Sequence, residues 1–231
     1  MDVETKTRAA ADRRTQLTRQ RVLRAAVSLA DRDGLESVSM RRLAQELGIE
    51  AMSLYTHVRS KDDLLGGMVD VVIGQIPADG TRGGWRQSLR RTIMAARSVL
   101  LRHPWAPRII EEQSQPGPAV MRHYDTMIGI FRRGGFSLRL THHALHMMGS
   151  RLLGFTQDLF DDSPDLDPAA AAALAGQLAA THPYVAEMAL AVTHEGGLGG
   201  CDTDLEFEFS LDAMLDSLER LKDAEAESAS A

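Results

Sequence analysis

The chain has 231 residues, 44% of them hydrophobic but only 5% aromatic, with a single cysteine and a formal net charge of −6. One cysteine excludes an internal disulfide and a cysteine-rich zinc site, and no stretch reaches the roughly 20 uninterrupted apolar residues of a membrane span. Leu, Ala, Val and Met supply most of the apolar side chains, which favours helix over strand and points to an all-α fold.

Charge is unevenly placed. Residues 1–61 carry 12 Lys and Arg against 8 Asp and Glu, a balance of +4, while residues 62–231 carry 14 against 24, a balance of −10. A basic head on an acidic body suits a local polyanion-binding module. Residues 1–21 are polar and mixed in charge, unlike a signal peptide, so the expected location is cytoplasmic.

Residues 1–17 lack an apolar face and read as a flexible basic arm, with Lys6, Arg8, Arg13 and Arg14 as its cations. Thr18 can cap a first helix in which Val22, Leu23, Ala26, Leu29 and Ala30 recur at helical spacing, and Gly34 ends it. Ser39 is the expected N-cap of a short helix over 40–47, followed by Gly48 where the chain needs a left-handed turn. A third short helix is expected over 51–57, with Leu54 and Val58 turned inward. Ser60 and Asp63 form an S-x-x-D capping box for a fourth helix over 61–75. The Gly- and Pro-containing run 76–84 then breaks the chain.

Further helices are expected over 85–102, 104–112, 117–133 and 138–159. An acidic loop follows over 161–168, then an alanine-rich helix from 168 to 180 that continues through Pro183 with a kink. Residues 194–204 read as loop, 205–221 as a final helix and 224–231 as a disordered tail.

Residues 39–57 form a helix–turn–helix whose two short members need the helix over 18–33 as backing. That leaves the outer face of the second member free to enter a major groove. Ala51, Met52 and Ser53 are small or methyl-bearing and suit close approach to base edges, with Thr56 able to bond base or phosphate. Tyr55, His57 and Lys61 sit where the helix exits toward phosphates. Thr18 and Ser39 offer hydroxyl plus backbone N–H at helix starts, with Met40 beside them; Arg41 and Arg42 lie at the start of the first member, where Arg41 can reach a guanine edge or a phosphate.

Residues 18–65, TRQRVLRAAVSLADRDGLESVSMRRLAQELGIEAMSLYTHVRSKDDLL, resemble the DNA-binding domain of the tetracycline-repressor (TetR) family. Ala26, Gly34, Arg41, Leu43, Ala44, Leu47, Gly48, Leu54, Tyr55, His57, Val58, Lys61, Leu64 and Leu65 carry the likeness. FEFSLDAMLDSLERL, residues 207–221, is similar to the last helix of a tetracycline-repressor-type C-terminal domain. The resemblance implies an N-terminal three-helix DNA-binding domain over 18–62 and a helical ligand-binding and dimerisation domain over 63–223. It implies a homodimer on a double-stranded operator, no membrane partner, no cofactor and no metal. Phe207, Leu211, Met214, Leu215 and Leu218 would form the dimer interface, against the helix over 138–159. Each subunit would hold one small-molecule effector, such as a lipophilic drug or metabolite. Its candidate pocket residues are Trp105, Ile110, Met121, Tyr124, Met127, Ile128, Met147, Arg151 and Phe155. Two departures bear on specificity. The second short helix begins Glu-Ala-Met-Ser where the tetracycline repressor has a glutamine and a proline, so a different operator is expected. The tetracycline–magnesium residues are not recognisable either.

The alternative is a metal-dependent helical enzyme. THHALH puts His142 and His146 four apart on one helix face, a two-ligand geometry, but no H-E-x-x-H is present and no third ligand is fixed by spacing. Cys201 lies in a Gly-rich loop without a spaced base, which does not suit a nucleophile. The expected reading is therefore a regulator rather than an enzyme.

Overall fold

The computed structural model describes residues 17–77, 83–113, 115–154, 173, 176–177, 179–191 and 203–230. Through them run ten α-helices: α1 (Arg19–Asp33), α2 (Met40–Leu47), α3 (Ala51–Leu54), α4 (Lys61–Ile73), α5 (Trp85–Arg102), α6 (Ala106–Glu112), α7 (Pro118–Arg133), α8 (Leu138–Gly154), α9 (Pro183–Ala191) and α10 (Thr203–Ser230). No strand occurs among the described residues.

The first helices start and stop where local chemistry dictates. The Thr18 hydroxyl accepts from the Arg21 N–H, and Ser39 does the same for Arg42, each satisfying a donor that the helix leaves orphaned. Gly48 ends α2 in the left-handed region, φ 67° and ψ 34°, where its N–H reaches Ala44 and the Ile49 N–H also returns to Ala44. α3 is shorter than the expected 51–57. After Leu54 the chain tightens, and the N–H groups of Tyr55 and His57 bond three residues back, to Met52 and Leu54. Leu54 and Val58 are fully buried, each stabilising the head by about 1.5–3 kcal/mol.

Two compact units divide the chain at 141/142, within α8, so the functional division expected at 62/63 lies inside the first unit. In that unit α4 packs against α1 on one side and against α5, α6 and α7 on the other. Edge-to-face rings close its far end, with Trp85–Phe136 centroids 4.7 Å apart and Phe131–Phe136 5.1 Å apart.

In the second unit α10 buries Phe207, Leu211, Leu215 and Leu218 at helical spacing. The tail expected to be disordered is helical to Ser230. α9 begins at Pro183, in the position where a missing N–H does no harm, and the non-helical His182 separates it from residues 179–181, so Pro183 starts a helix instead of kinking one. The basic arm, the acidic loop over 161–168 and Cys201 lie outside the described residues.

Candidate nucleic-acid interface

The expected reading face is open. Met52 is 74% and Tyr55 47% exposed, and Ser53, Thr56 and Lys61 are exposed beside them, while Ala51 and His57 are half-buried. Hydrogen bonding sorts the polar members. Thr18 and Ser39 each use an oxygen lone pair to cap, which leaves the hydroxyl proton to donate outward. The Thr56 hydroxyl donates to the Ser53 carbonyl at 2.7 Å, which leaves its oxygen to accept from a base.

The arginines sort in the same way. Arg42 is paired with Asp33 at 3.0 Å, and Arg32 bridges Asp33 and Glu46, each at 3.2 Å, tying α1 to α2. Arg41 is exposed and has no ion-pair partner among the described residues, so of the two neighbours it alone presents an uncommitted guanidinium. The exposed Arg59, not singled out in the sequence, adds a further cation between His57 and Lys61, with no ion pair among the described residues though its charge also acts on Asp63. Its signal was available: it belongs to the same run as Tyr55, His57 and Lys61.

Behind this face lies a bonded frame. From the start of α1, the Arg19 guanidinium donates to the His57 carbonyl at 2.7 Å and to the Asp63 carboxylate at 2.5 Å. Asp63 also accepts the Arg59 N–H at 2.8 Å while its own N–H bonds Ser60. The expected capping box is therefore displaced by one residue, because Asp63 turns to Arg59 and Arg19 instead of the Ser60 N–H. The Arg19 hydrogen bond holds the Asp63 carboxyl below the usual range, and Asp63 in turn raises the Arg19 guanidinium.

At the other end of α1, Asp31 Oδ1 accepts from Trp105 Nε1 at 2.7 Å and lies 2.8 Å from His103 Nδ1. His103 Nε2 reaches the Gln75 amide at 3.1 Å. Asp70 on α4 accepts the N–H of Ala119 at 2.9 Å, capping α7, whose own N-cap Gly117 has no side chain to do so. The helix that backs the reading face is thus fixed at both ends, by α4 and by the α5–α6 turn.

A family model for the bacterial regulatory proteins of the tetR family matches residues 22–68, and one for the tetracyclin repressor-like C-terminal domain matches residues 76–221. The chain belongs to the TetR family. Among its relatives, the HTH-type transcriptional repressor DrrR1 of Streptomyces coeruleorubidus is 39% identical over 123 residues, 52% of this chain and 46% of that protein. The class D tetracycline repressor protein of Escherichia coli is 30% identical over 144 residues, 60% of this chain and 65% of that protein. The chain thus spans about half of the first relative's length and less than two thirds of the second's. The crystal structure of the Streptomyces coelicolor TetR family protein ActR in complex with actinorhodin superposes with a TM-score of 0.69 at 26% identity, covering 90% of this chain and 99% of that one.

Within this TetR-family chain the expected pocket residues scatter. Trp105 is 7% exposed and its indole N–H is committed to Asp31, so it ties the body to α1. Met127 is buried, Ile110 and Ile128 are half-buried, and Met121, Tyr124 and Met147 are exposed. Arg151 is described in its backbone only, and Phe155 lies outside the described residues.

The expected dimer residues differ in exposure within the single chain. Leu211, Leu215 and Leu218 are at most 1% exposed within a single chain, and Phe207 is 8% exposed, so these four have almost no surface left for a partner. Met214 is half-buried. The exposed stripe of α10 begins instead with Leu205, Phe209 and Ala213, four residues apart. His142 and His146 stack edge to face at 4.5 Å on an exposed turn, and no group of three or more potential metal ligands gathers among the described residues. No helix there is long and apolar enough to cross a membrane.

Proposed function

We propose that this chain is a ligand-responsive transcriptional repressor acting in the cytoplasm. As a homodimer it binds a pseudo-palindromic double-stranded operator through Thr18, Ser39, Met40, Arg41, the exposed face of residues 51–57, Arg59 and Lys61. A small molecule held by the C-terminal helices, a lipophilic drug or metabolite, releases it. The observation that carries this reading is the bonded path behind the face. Arg19 and Asp63 join the end of the reading segment to α1 and α4, and Asp31 joins α1 to His103 and Trp105.

A dimer reading two half-sites one helical turn apart, about 34–36 Å, is sensitive to small tilts of each head. The ligand acts only through tighter binding to the state with its heads out of register. DrrR1 is named a repressor, and ActR holds actinorhodin, which supports repression and small-molecule control in turn.

Selection from a random duplex library tests the reading. A two-fold symmetric site is expected, with affinity falling log-linearly in salt. Enrichment of no sequence would sink it. A thermal-shift screen of antibiotics and lipophilic cations then seeks a compound that raises the melting temperature and weakens operator binding; compounds that stabilise the protein yet leave operator affinity unchanged would remove the ligand-release half of the proposal.

A further inference from the structure

An open cleft of about 710 Å³ lies between α1 and α4, with His103 and the start of α7 also in its lining. That volume suits one drug-sized ligand. Its apolar lining includes Leu23 and Val27 of α1 and Val71 of α4. The charges around it are of two kinds. Asp31 is bonded to His103 and Trp105, Asp70 caps α7, and Arg19 is held by Asp63. Arg24 and Arg122, from α1 and from α7, are different: both line the cleft, and neither has a hydrogen-bond or ion-pair partner for its guanidinium among the described residues. The Ser28 hydroxyl, one turn beyond Arg24 on α1, also lines it. Asp31, Asp70 and Arg19 are thus each engaged by neighbours, while Arg24 and Arg122 face the apolar floor without one among the described residues.

We propose that this cleft is a binding site for an amphiphilic anion, a carboxylate or phosphate monoester carrying an apolar chain. Arg24 and Arg122 hold the headgroup, and Leu23, Val27 and Val71 cover the chain. Guanidinium matches the planar, bidentate geometry of such headgroups, and charge-assisted bonds of this kind are the strong ones. Its walls are the backing helix of the head and α4, with Arg122 reaching it from α7.

Calorimetry on the full chain without DNA tests this, independently of the repressor reading. The probes are dodecanoate and dodecyl phosphate, with inorganic phosphate and dodecyltrimethylammonium as controls. One dodecanoate or dodecyl phosphate per chain is expected, with at least about tenfold weaker binding in both R24Q and R122Q. Inorganic phosphate should bind far more weakly, and the cation should bind only to the doubly reversed R24E/R122E. Both arginines are exposed, so these variants should keep the parent melting temperature. Equal affinity of the wild type and both single variants would overturn the proposal, as would no binding of either anionic amphiphile. Equal binding of the cationic amphiphile to the wild type would do so too, because it would reduce the cleft to a greasy surface.

Discussion

Asp31 Oδ1 sits 2.8 Å from His103 Nδ1 and also receives the Trp105 indole N–H, so one carboxylate oxygen on the helix–turn–helix head serves two rings of the body. His103 and Trp105 are each 7% exposed, and their rings meet edge to face at 6.0 Å. Removing Asp31 strands two nearly buried polar groups at once. Asp31→Ala is expected to destabilise the protein by about 1–3 kcal/mol, the desolvation penalty of unsatisfied buried donors. Chemical denaturation measures this, and a shift in Trp105 fluorescence reports loss of the indole bond. Asp31→Asn keeps an acceptor and should recover most of the stability. If Asp31→Ala melts like the parent, the tether carries no weight.

Gly67 tests how closely α1 and α4 approach. A Cβ there would lie 2.5 Å from Leu23 Cδ2 and 2.9 Å from Cδ1, inside any real contact, and Leu23 is buried. Gly67→Ala gains about 1 kcal/mol of helix propensity but incurs about 1–3 kcal/mol of overpacking. The net expectation is a loss of up to about 2 kcal/mol, with α1 displaced and operator affinity reduced. Gly66 is the control. Its added Cβ would meet only the amide end of the Gln113 side chain, at 2.9 Å, which can move aside. Gly66→Ala should be neutral or stabilising in the same melts.

The start of the molecule was legible because its signals are local. Thr18, Ser39 and Gly48 each act on backbone groups within a few residues, so their roles follow from residue type and spacing. Arg19 with Asp63, and Asp31 with His103 and Trp105, span 44, 72 and 74 residues, and no periodicity announces them. The pair Arg41 and Arg42 shows the same limit. In sequence they are equivalent cations at one helix start, and only the fold reveals that Asp33 takes Arg42. The C-terminal error was of another kind. Residues 224–231 read in sequence as a disordered tail, yet Ala and Glu are among the best helix formers, and they extend α10 past Leu221.

The division between Arg41 and Arg42 has a direct consequence for DNA binding. Arg41→Ala and Lys61→Ala should each weaken operator binding, and Lys61→Ala should lower the salt slope by about one. Arg42→Ala should leave both affinity and slope nearly unchanged, since its charge is already spent on Asp33. Fluorescence anisotropy across several salt concentrations reads all three. A slope loss for Arg42→Ala equal to that of Lys61→Ala would reverse the assignment.

The Arg19–Asp63 pair sets a pH dependence whose sign follows from the lowered Asp63 carboxyl. Its folded value lies below the unfolded one, near 3.9. The unfolded chain therefore takes up the proton first, and the contribution is fully present above that unfolded value. It is lost as pH falls through the lower folded one. Both side chains are partly exposed, so the amount is about 1 kcal/mol. Asp63→Asn should be less stable at pH 7 and should converge on the parent in acid. His123 adds to the acid loss in a higher window. Burial lowers its imidazole, so the folded state resists protonation as pH drops below about 6.5. His123→Gln should flatten the melting profile as pH falls below about 6.5.

The two faces of α10 give opposite outcomes for the same chemical change. Leu218 is 1% exposed, and Leu218→Asp buries a carboxylate without a partner, which should unfold the second unit or the whole chain. Phe209 is 72% exposed on a face that begins with Leu205 and continues to Ala213. A large exposed aromatic on a regular helix face is what a symmetric helix–helix interface uses, because the same patch meets itself across the two-fold axis. Phe209→Asp should therefore give a folded monomer that keeps its helical circular dichroism and loses operator affinity, since only a dimer engages both half-sites. Analytical ultracentrifugation with the dichroism melt separates the cases. A Phe209→Asp protein that stays dimeric would move the interface off this face, and a folded, monomeric Leu218→Asp protein would return it to the buried one.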